Sequence, residues 1–249
     1  MSNTHKDPIS KSLYAGLRTE AQERLELRDY TDHNLNERLR STGVEAKEII
    51  NLSVRPDNWI PGVELMPRRV HRQRQRGHFG EIVRLEENLM QKMGFSPKQW
   101  SSALMYSGTM KGFHIHPPYV PPDHKPEDWF RRQFIDEPEN YSLRDYRKEQ
   151  WEMSFFLLGT VELFLVDERA GMPRRQMRVV IDGDDSPGDN NAGVIIPPGV
   201  AHAFRAEGSA DLLLVYGTST TFRAEFEGRL VSSVERAEID GDWIEYLGK

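Results

Sequence analysis

From Pro61-Gly62 onward the chain is a succession of short apolar runs broken by turn residues, and this pattern limits the fold more than any other feature. Runs that read as strands fall at 63–66, 79–83, 102–106, 110–116, 153–158, 161–166, 177–181, 193–196, 201–205 and 212–217. Many short strands at this spacing predict a mainly β chain, a sandwich or jelly-roll barrel rather than a parallel α/β sheet. One helix is expected between the second and third runs. Leu85, Leu89 and Met93 supply its apolar face, and Gly94 stops it.

The residues before this pattern have another character. Residues 1–58 are polar and read as a helical arm. Thr19 followed by Gln22 resembles a capping box, with Leu17, Ala21 and Leu25 on one face. Asp32 opens a second short helix carrying Leu35 and Leu39, and Gly43 ends it. Such thin apolar stripes suit an arm packed on the domain or on a partner subunit. The expected division is an arm at 1–58, a barrel at 59–230 and a C-terminal extension at 231–249.

Charge and composition exclude several classes. The 249 residues carry a formal net charge of −6, which argues against a nucleic-acid partner. Arg68-Arg69 and Arg72, Arg74 and Arg76 form a local basic run that reads as a solvated strand edge or a grip for an anionic metabolite. No apolar stretch reaches the length of a membrane span, and the first residues lack an apolar h-region, so a cytoplasmic location is expected. There is no cysteine, so disulfides, Cys-based zinc sites and thiol nucleophiles are excluded.

Two segments interrupt the strand rhythm. Residues 117–150 are rich in proline, charge and aromatics. A long irregular insertion in a compact domain is usually functional or disordered. Trp129, Phe130, Tyr141 and Tyr146 give this one something to pack, which favours a lid. The Asp/Gly-rich tract at 182–191 reads as an exposed turn and lacks the alternating ligands and closing glutamate of a calcium loop.

The chemistry concentrates in three places. In Gly108-Thr-Met-Lys-Gly-Phe-His114-Ile-His116, two histidines two residues apart on a strand share a face. Inside a barrel that face is the lumen, and both imidazoles can reach one ion. An isolated H-x-H pair serves equally as polar strand residues. Glu152 opens an otherwise apolar strand, where burying a carboxylate is costly unless a cation compensates. In solvent at a strand end it would need no partner. The Pro197-Pro198-Gly199 turn can return His202 to the barrel interior, where an isolated histidine is more often a satisfied core residue.

Together these segments resemble the two motifs of the cupin superfamily: glycine, five residues, H-x-H, a spacer, glutamate, six residues, glycine; then P-x-G-x-x-H. The chain meets each spacing. It departs only in the length of the spacer, which the insertion at 117–150 fills. The resemblance implies a double-stranded β-helix, or jelly-roll, barrel that binds one divalent transition metal (iron, manganese, nickel or zinc) through His114, His116, Glu152 and His202. Three imidazoles and one carboxylate suit these metals.

A closer resemblance is to the dTDP-4-dehydrorhamnose 3,5-epimerase family. It is carried by Pro61-Gly-Val-Glu-Leu-Met-Pro, Arg76-Gly-His-Phe-Gly-Glu81, Lys111-Gly-Phe-His114 and Ile196-Pro-Pro-Gly-Val-Ala-His-Ala-Phe204. It implies that Arg76 and Lys111 bind substrate phosphates, that Glu81 lies near the nucleotide, and that His114 stands where that family has its catalytic base. Glu152 replaces the family's lysine, which inverts the local electrostatics unless a cation restores them. The family's tyrosine aligns with Val215, which leaves Tyr216 one residue along and on the opposite face of a regular strand. Tyr216, Glu81 and His124 are the candidate general bases. The resemblance also implies a homodimer.

The leading expectation is a metal-dependent isomerase or epimerase of a carbonyl-containing sugar or small metabolite, acting through an enediolate. Alternatives are an iron-dependent oxygenase in the same barrel and a non-catalytic sugar- or metabolite-binding protein.

Overall fold

The computed structural model describes residues 59–86, 93–94, 96–186, 190–231 and 241–249. The expected arm at 1–58 and most of the helix expected around Leu89 lie outside the described residues.

Two five-stranded antiparallel sheets face each other. The first has the order β1 (Glu64–Pro67), β9 (Ala192–Ile196), β6 (Glu152–Leu158), β11 (Leu212–Thr218), β4 (Gln99–Met105). The second runs β12 (Gly228–Arg229), β5 (Met110–Ile115), β10 (Val200–Glu207), β7 (Thr160–Asp167), β8 (Gln176–Asp182). A separate ribbon pairs β2 (Arg69–Arg72) with β3 (His78–Glu81). The mainly β jelly-roll expected from the sequence is what the chain forms, and every expected strand is present within a few residues.

Period-2 alternation sends one side of each strand to a common core. Phe156, Val161, Leu163, Leu165, Val194, Ile196, Val200, Phe204, Leu212 and Leu214 fill the space between the sheets. Chain reversals between the sheets use glycine. Gly159 joins β6 to β7 at φ 78°, and a Cβ there would meet the Asp211 carbonyl oxygen at 2.4 Å. Gly199 turns β9 into β10, and its N–H donates to the His116 carbonyl at 2.7 Å.

The insertion is bound to the outer face of the first sheet. It contains α1 (Pro126–Arg131), a π-type turn over Arg132–Asp136 and a 3-10 turn over Tyr141–Leu143. Trp129, Phe130 and Phe134 pack with Trp151, Met153 and Phe155, so the aromatics that suggested a lid serve as an anchor. Arg144 lies over the rings of Phe134, Tyr141 and Trp151. Outside the second sheet, α2 (Gly241–Gly248) sets Trp243 and Tyr246 against Phe113 and Phe164.

Glu149 closes the insertion. Its buried carboxylate accepts from Trp151 Nε1 at 2.8 Å and the Tyr119 N–H at 3.1 Å. Burial nevertheless pushes it from 4.5 up to about 7. The folded chain therefore holds a proton that the unfolded chain releases, and this contribution to stability is present below about 4.5 and lost as pH rises through about 7. Glu162, pushed up to about 7 by burial, acts in the same direction. The Glu149→Gln variant is expected to show a shallower fall of melting temperature between pH 5 and 8, measured by circular dichroism. An unchanged slope would remove Glu149 as a source.

Two sequence expectations are corrected here. The tract at 182–191 is not simply an exposed turn: Asp182, Asp184 and Asn191 are buried. The basic run is not uniformly solvated. Arg68 is 1% exposed, and its Nε and Nη2 donate to the two carboxylate oxygens of Asp184 at 3.0 and 2.6 Å. A surface-looking arginine and an acidic turn thus form one internal ion pair.

Candidate functional site

Glu152 begins β6, and Ser154 and Phe156 follow it on the inward face, opposite the inward residues of the second sheet. His202 lies on the inner face of β10 between Val200 and Phe204. His116 follows the last residue of β5. These three side chains are buried, and their ligand atoms lie within 4.8 Å of one another. Glu152 Oε2 is 3.4 Å from His116 Nε2 and 3.7 Å from His202 Nε2.

Backbone carbonyls set the orientation of both rings. His116 Nδ1 is 2.8 Å from the Phe226 carbonyl and His202 Nδ1 is 3.4 Å from the Val200 carbonyl. A carbonyl only accepts, so each Nδ1 carries the proton and each Nε2 presents a lone pair toward Glu152. The Ser154 hydroxyl donates to Glu152 Oε1 at 2.6 Å, leaving Oε2 directed at the histidines. Two lone pairs and a carboxylate oxygen facing one point require a proton or a cation between them.

The electrostatics agree. Burial pushes Glu152 up, but His202 and His116 outweigh it and bring the carboxyl down to about 2. Burial opposes protonation of His116, yet the Glu152 hydrogen bond and charge raise it above 6.5. His202 is lowered, because burial exceeds the attraction of Glu152.

These donors fit a divalent ion. Two ligands each about 2.1 Å from one ion stand about 3.0–3.5 Å apart at octahedral to tetrahedral angles. The separations from Glu152 Oε2, 3.4 Å to His116 Nε2 and 3.7 Å to His202 Nε2, fall at the top of that range and just above it. Imidazoles whose Nδ1–H is held by a carbonyl have the outer-shell arrangement typical of metal-binding histidines.

His114 stands apart. It lies directly opposite His202 across β5 and β10, with ring centroids 6.0 Å apart, yet it is outside the close group of three. The sequence motif grouped all four residues, and the structure brings together three. Half-buried His114 is lowered to about 4, first by burial and then by His202 and Arg229, with Glu227 and Glu152 acting in the opposite direction. It is therefore neutral at pH 7.

The other expected residues divide between lumen and surface. Tyr216 packs on the inner core beside Leu214 and pairs with Ser154 across β11 and β6. The regular-strand expectation put it on the opposite face. Regular alternation with Leu212 and Leu214 accounts for the inward placement, and the β11–β4 register runs without a shift. Lys111 is exposed on β5 opposite the inward residue Phe204. Arg76 lies in an exposed turn at the tip of the β2–β3 ribbon. Glu81 is in the same ribbon, outside the two sheets enclosing the lumen, and pairs with Arg84 at 2.7 Å and Arg69 at 3.5 Å. His124 pairs with exposed Asp123 at 3.0 Å.

Sequence reasoning passed over Gln150. This buried amide accepts from the Thr220 hydroxyl at 3.0 Å, and its nitrogen lies beside the His116 ring, 3.2 Å from Nδ1 and 3.3 Å from Nε2. Its position two residues before Glu152 was the only available signal.

The fold and site define a two-sheet jelly-roll barrel with a buried His–Glu–His group at its lumen. No known family model matches the chain. Spore coat polysaccharide biosynthesis protein SpsL of Bacillus subtilis is 27% identical over 151 residues, spanning 60% of this chain and 74% of that protein. A dTDP sugar isomerase from Desulfovibrio desulfuricans superposes with a TM-score of 0.50 at 17% identity, over 69% of this chain and 85% of its own. ChmJ, a 3'-monoepimerase from Streptomyces bikiniensis solved with dTDP-quinovose, gives 0.48 at 21% identity over 68% and 69%. The likeness to the dTDP sugar isomerase bears on the fold alone. Among the described residues, no helix is long and apolar enough to cross a membrane.

Proposed function

We propose that this chain is a metal-dependent enzyme that isomerises or epimerises a carbonyl-containing sugar or sugar nucleotide, with the ion held by His116, Glu152 and His202. The observation that carries the reading is the convergence of two carbonyl-oriented Nε2 atoms on one buried carboxylate. A divalent ion there supplies Lewis acidity toward a substrate carbonyl oxygen.

The remaining chemistry belongs to the protein. Neutral His114, beside the ligand group, accepts the proton from the carbon next to the carbonyl. Tyr216, on the inner face of the opposite sheet, would return a proton to that carbon. Gln150 offers an amide donor to a substrate oxygen. Lys111, at the exposed part of the same face as His114, meets an anionic portion of the substrate. Arg76 and Glu81 belong to the ribbon, and a role for them at a lumen requires that of a second copy in a homodimer.

His114→Ala tests the division of labour. Elemental mass spectrometry should find metal in the variant close to wild-type stoichiometry. Solvent-deuterium exchange into 4-keto sugar nucleotides should fall by about 10²–10⁴-fold, the usual contribution of a positioned base. Loss of metal from His114→Ala would restore it as a fourth ligand. A wild type unable to take up iron, manganese, nickel or zinc would sink the metal reading.

The donor set also supports a second reading. Two histidines and one carboxylate form the facial triad of non-haem iron oxygenases. Iron-dependent dioxygen consumption without deuterium exchange would select it.

A further inference from the structure

The insertion at 117–150 builds a cavity of its own. About 330 Å³ of space lies between its aromatic segment and the chain that enters β1. Pockets for small molecules begin at about this size. Its lining includes Glu64 and Trp151, which are out of phase with the inward-facing Leu65 and Glu152. The cavity therefore sits on the outer side of the first sheet, away from the lumen.

Its apolar wall is aromatic and fixed. Phe134, half-buried Tyr141 and Trp151 stand there with Trp59. The Arg144 guanidinium carbon lies 5.3, 4.5 and 5.3 Å from the ring centroids of Phe134, Tyr141 and Trp151. Phe134 also closes tightly on Gly62, where a Cβ would meet its ring at 2.6 Å.

The polar lining carries both signs of charge. Among the described residues it includes two carboxylates, Glu64 and Glu139, and two guanidinium groups, Arg144 and Arg175. They meet around one ring: after burial, Glu139 and Glu64 raise the Tyr141 phenol, while Arg144 lowers it. Arg144 is 8% exposed and forms no ion pair among the described residues. Its Nη2 donates to the Gln133 and Pro138 carbonyls, each at 3.2 Å. Its Nε and Nη1 lack an acceptor in good geometry, although the Tyr141 and Tyr146 phenols are nearby. Glu149 feels its charge but spends its own oxygens on Trp151 and Tyr119. Buried donors are normally satisfied, so this one calls for an acceptor.

We propose that the outer cavity is a second binding site, distinct from the lumen, for a neutral saccharide unit. A lining of balanced charge gathers ions of neither sign. It rewards groups that donate to a carboxylate and accept from a guanidinium, as hydroxyls do. A ring with hydroxyls at its edge and C–H groups on its faces matches both the polar lining and the aromatic wall. Ile135 and Glu139 line the cavity and are exposed, which leaves a side through which a longer glycan can continue into solvent. The proposal does not depend on the metal reading.

The test combines saturation-transfer difference NMR with tryptophan fluorescence titration, since Trp59 and Trp151 line the cavity. EDTA-treated full-length protein is titrated with the methyl glycosides of glucose, galactose, rhamnose and N-acetylglucosamine. These present no aldehyde or ketone to the lumen. At least one should bind, with saturation strongest at the C–H protons of one ring face. Glu139→Ala should weaken binding at least about tenfold, as expected for loss of a hydrogen bond to a charged group. Tyr141→Ala should weaken it to a similar extent and Tyr141→Phe should keep most of it, with circular dichroism showing each variant folded. Glu152→Ala, altered in the lumen, should bind as wild type does. No glycoside binding at tens of millimolar, loss of binding in Glu152→Ala, full binding in Tyr141→Ala and Glu139→Ala, or a preference for citrate or glycine would each overturn the proposal. A protein that binds a glycoside through Tyr141 but takes up no metal would refute the metal reading alone.

Discussion

Glu152→Ala is expected to leave purified protein without stoichiometric metal and without measurable turnover. Glu152 supplies the only carboxylate of the close group, and its removal leaves two neutral imidazoles in a buried site. Loss of an outer-shell partner typically costs 10–100-fold in metal affinity, and loss of the anionic ligand itself should exceed about 100-fold. Ser154→Ala provides the graded comparison. It removes the hydroxyl that donates to Glu152 Oε1 and should fall within that 10–100-fold range. The metal-free Glu152→Ala chain should remain folded, because both histidines are satisfied when neutral through their Nδ1–H bonds to Phe226 and Val200. Elemental mass spectrometry and a thermal melt separate the two effects. Stoichiometric metal in a folded Glu152→Ala protein would show that the ion, if present, sits elsewhere.

What the sequence made legible follows from the range of the interactions involved. Strands were legible because alternation and the corners at Gly159 and Pro197-Pro198-Gly199 are local. The candidate site was legible as a set of residues because its motifs lie on neighbouring strands whose alternation sends them inward. Its internal grouping was not. Whether His114 joins His116, Glu152 and His202 depends on how β5 sits against β10, and that pairing carries a register shift just after His202. Tyr216 was misplaced because its face was taken relative to Val215, whereas regular alternation with the inward Leu212 and Leu214 sends it to the core. Arg68 looked like part of a surface basic run because its partner is 116 residues away.

That distant partnership carries the largest expected effect on stability. Asp184→Ala should lower unfolding free energy by about 3–5 kcal/mol, the usual cost of leaving one member of a buried ion pair without the other. Arg68 has little room to adapt. Its Nη1 donates to the carbonyls of Glu81 and Ile82, and its guanidinium lies over the Phe155 ring. Water cannot readily replace the lost carboxylate, since both side chains are at most 3% exposed. The pair also joins the segment from β1 to the β2–β3 ribbon with the turn after β8, so its loss should loosen the ribbon that carries Arg76 and Glu81. Urea denaturation followed by tryptophan fluorescence measures the free energy, and the melting temperature should fall by on the order of 10 °C. Arg68→Met combined with Asp184→Leu removes both charges and should recover much of the loss, because the penalty comes from the stranded charge rather than from the missing attraction. A double variant as unstable as Asp184→Ala alone would instead assign the effect to the hydrogen bonds from Arg68 to the Glu81 and Ile82 carbonyls.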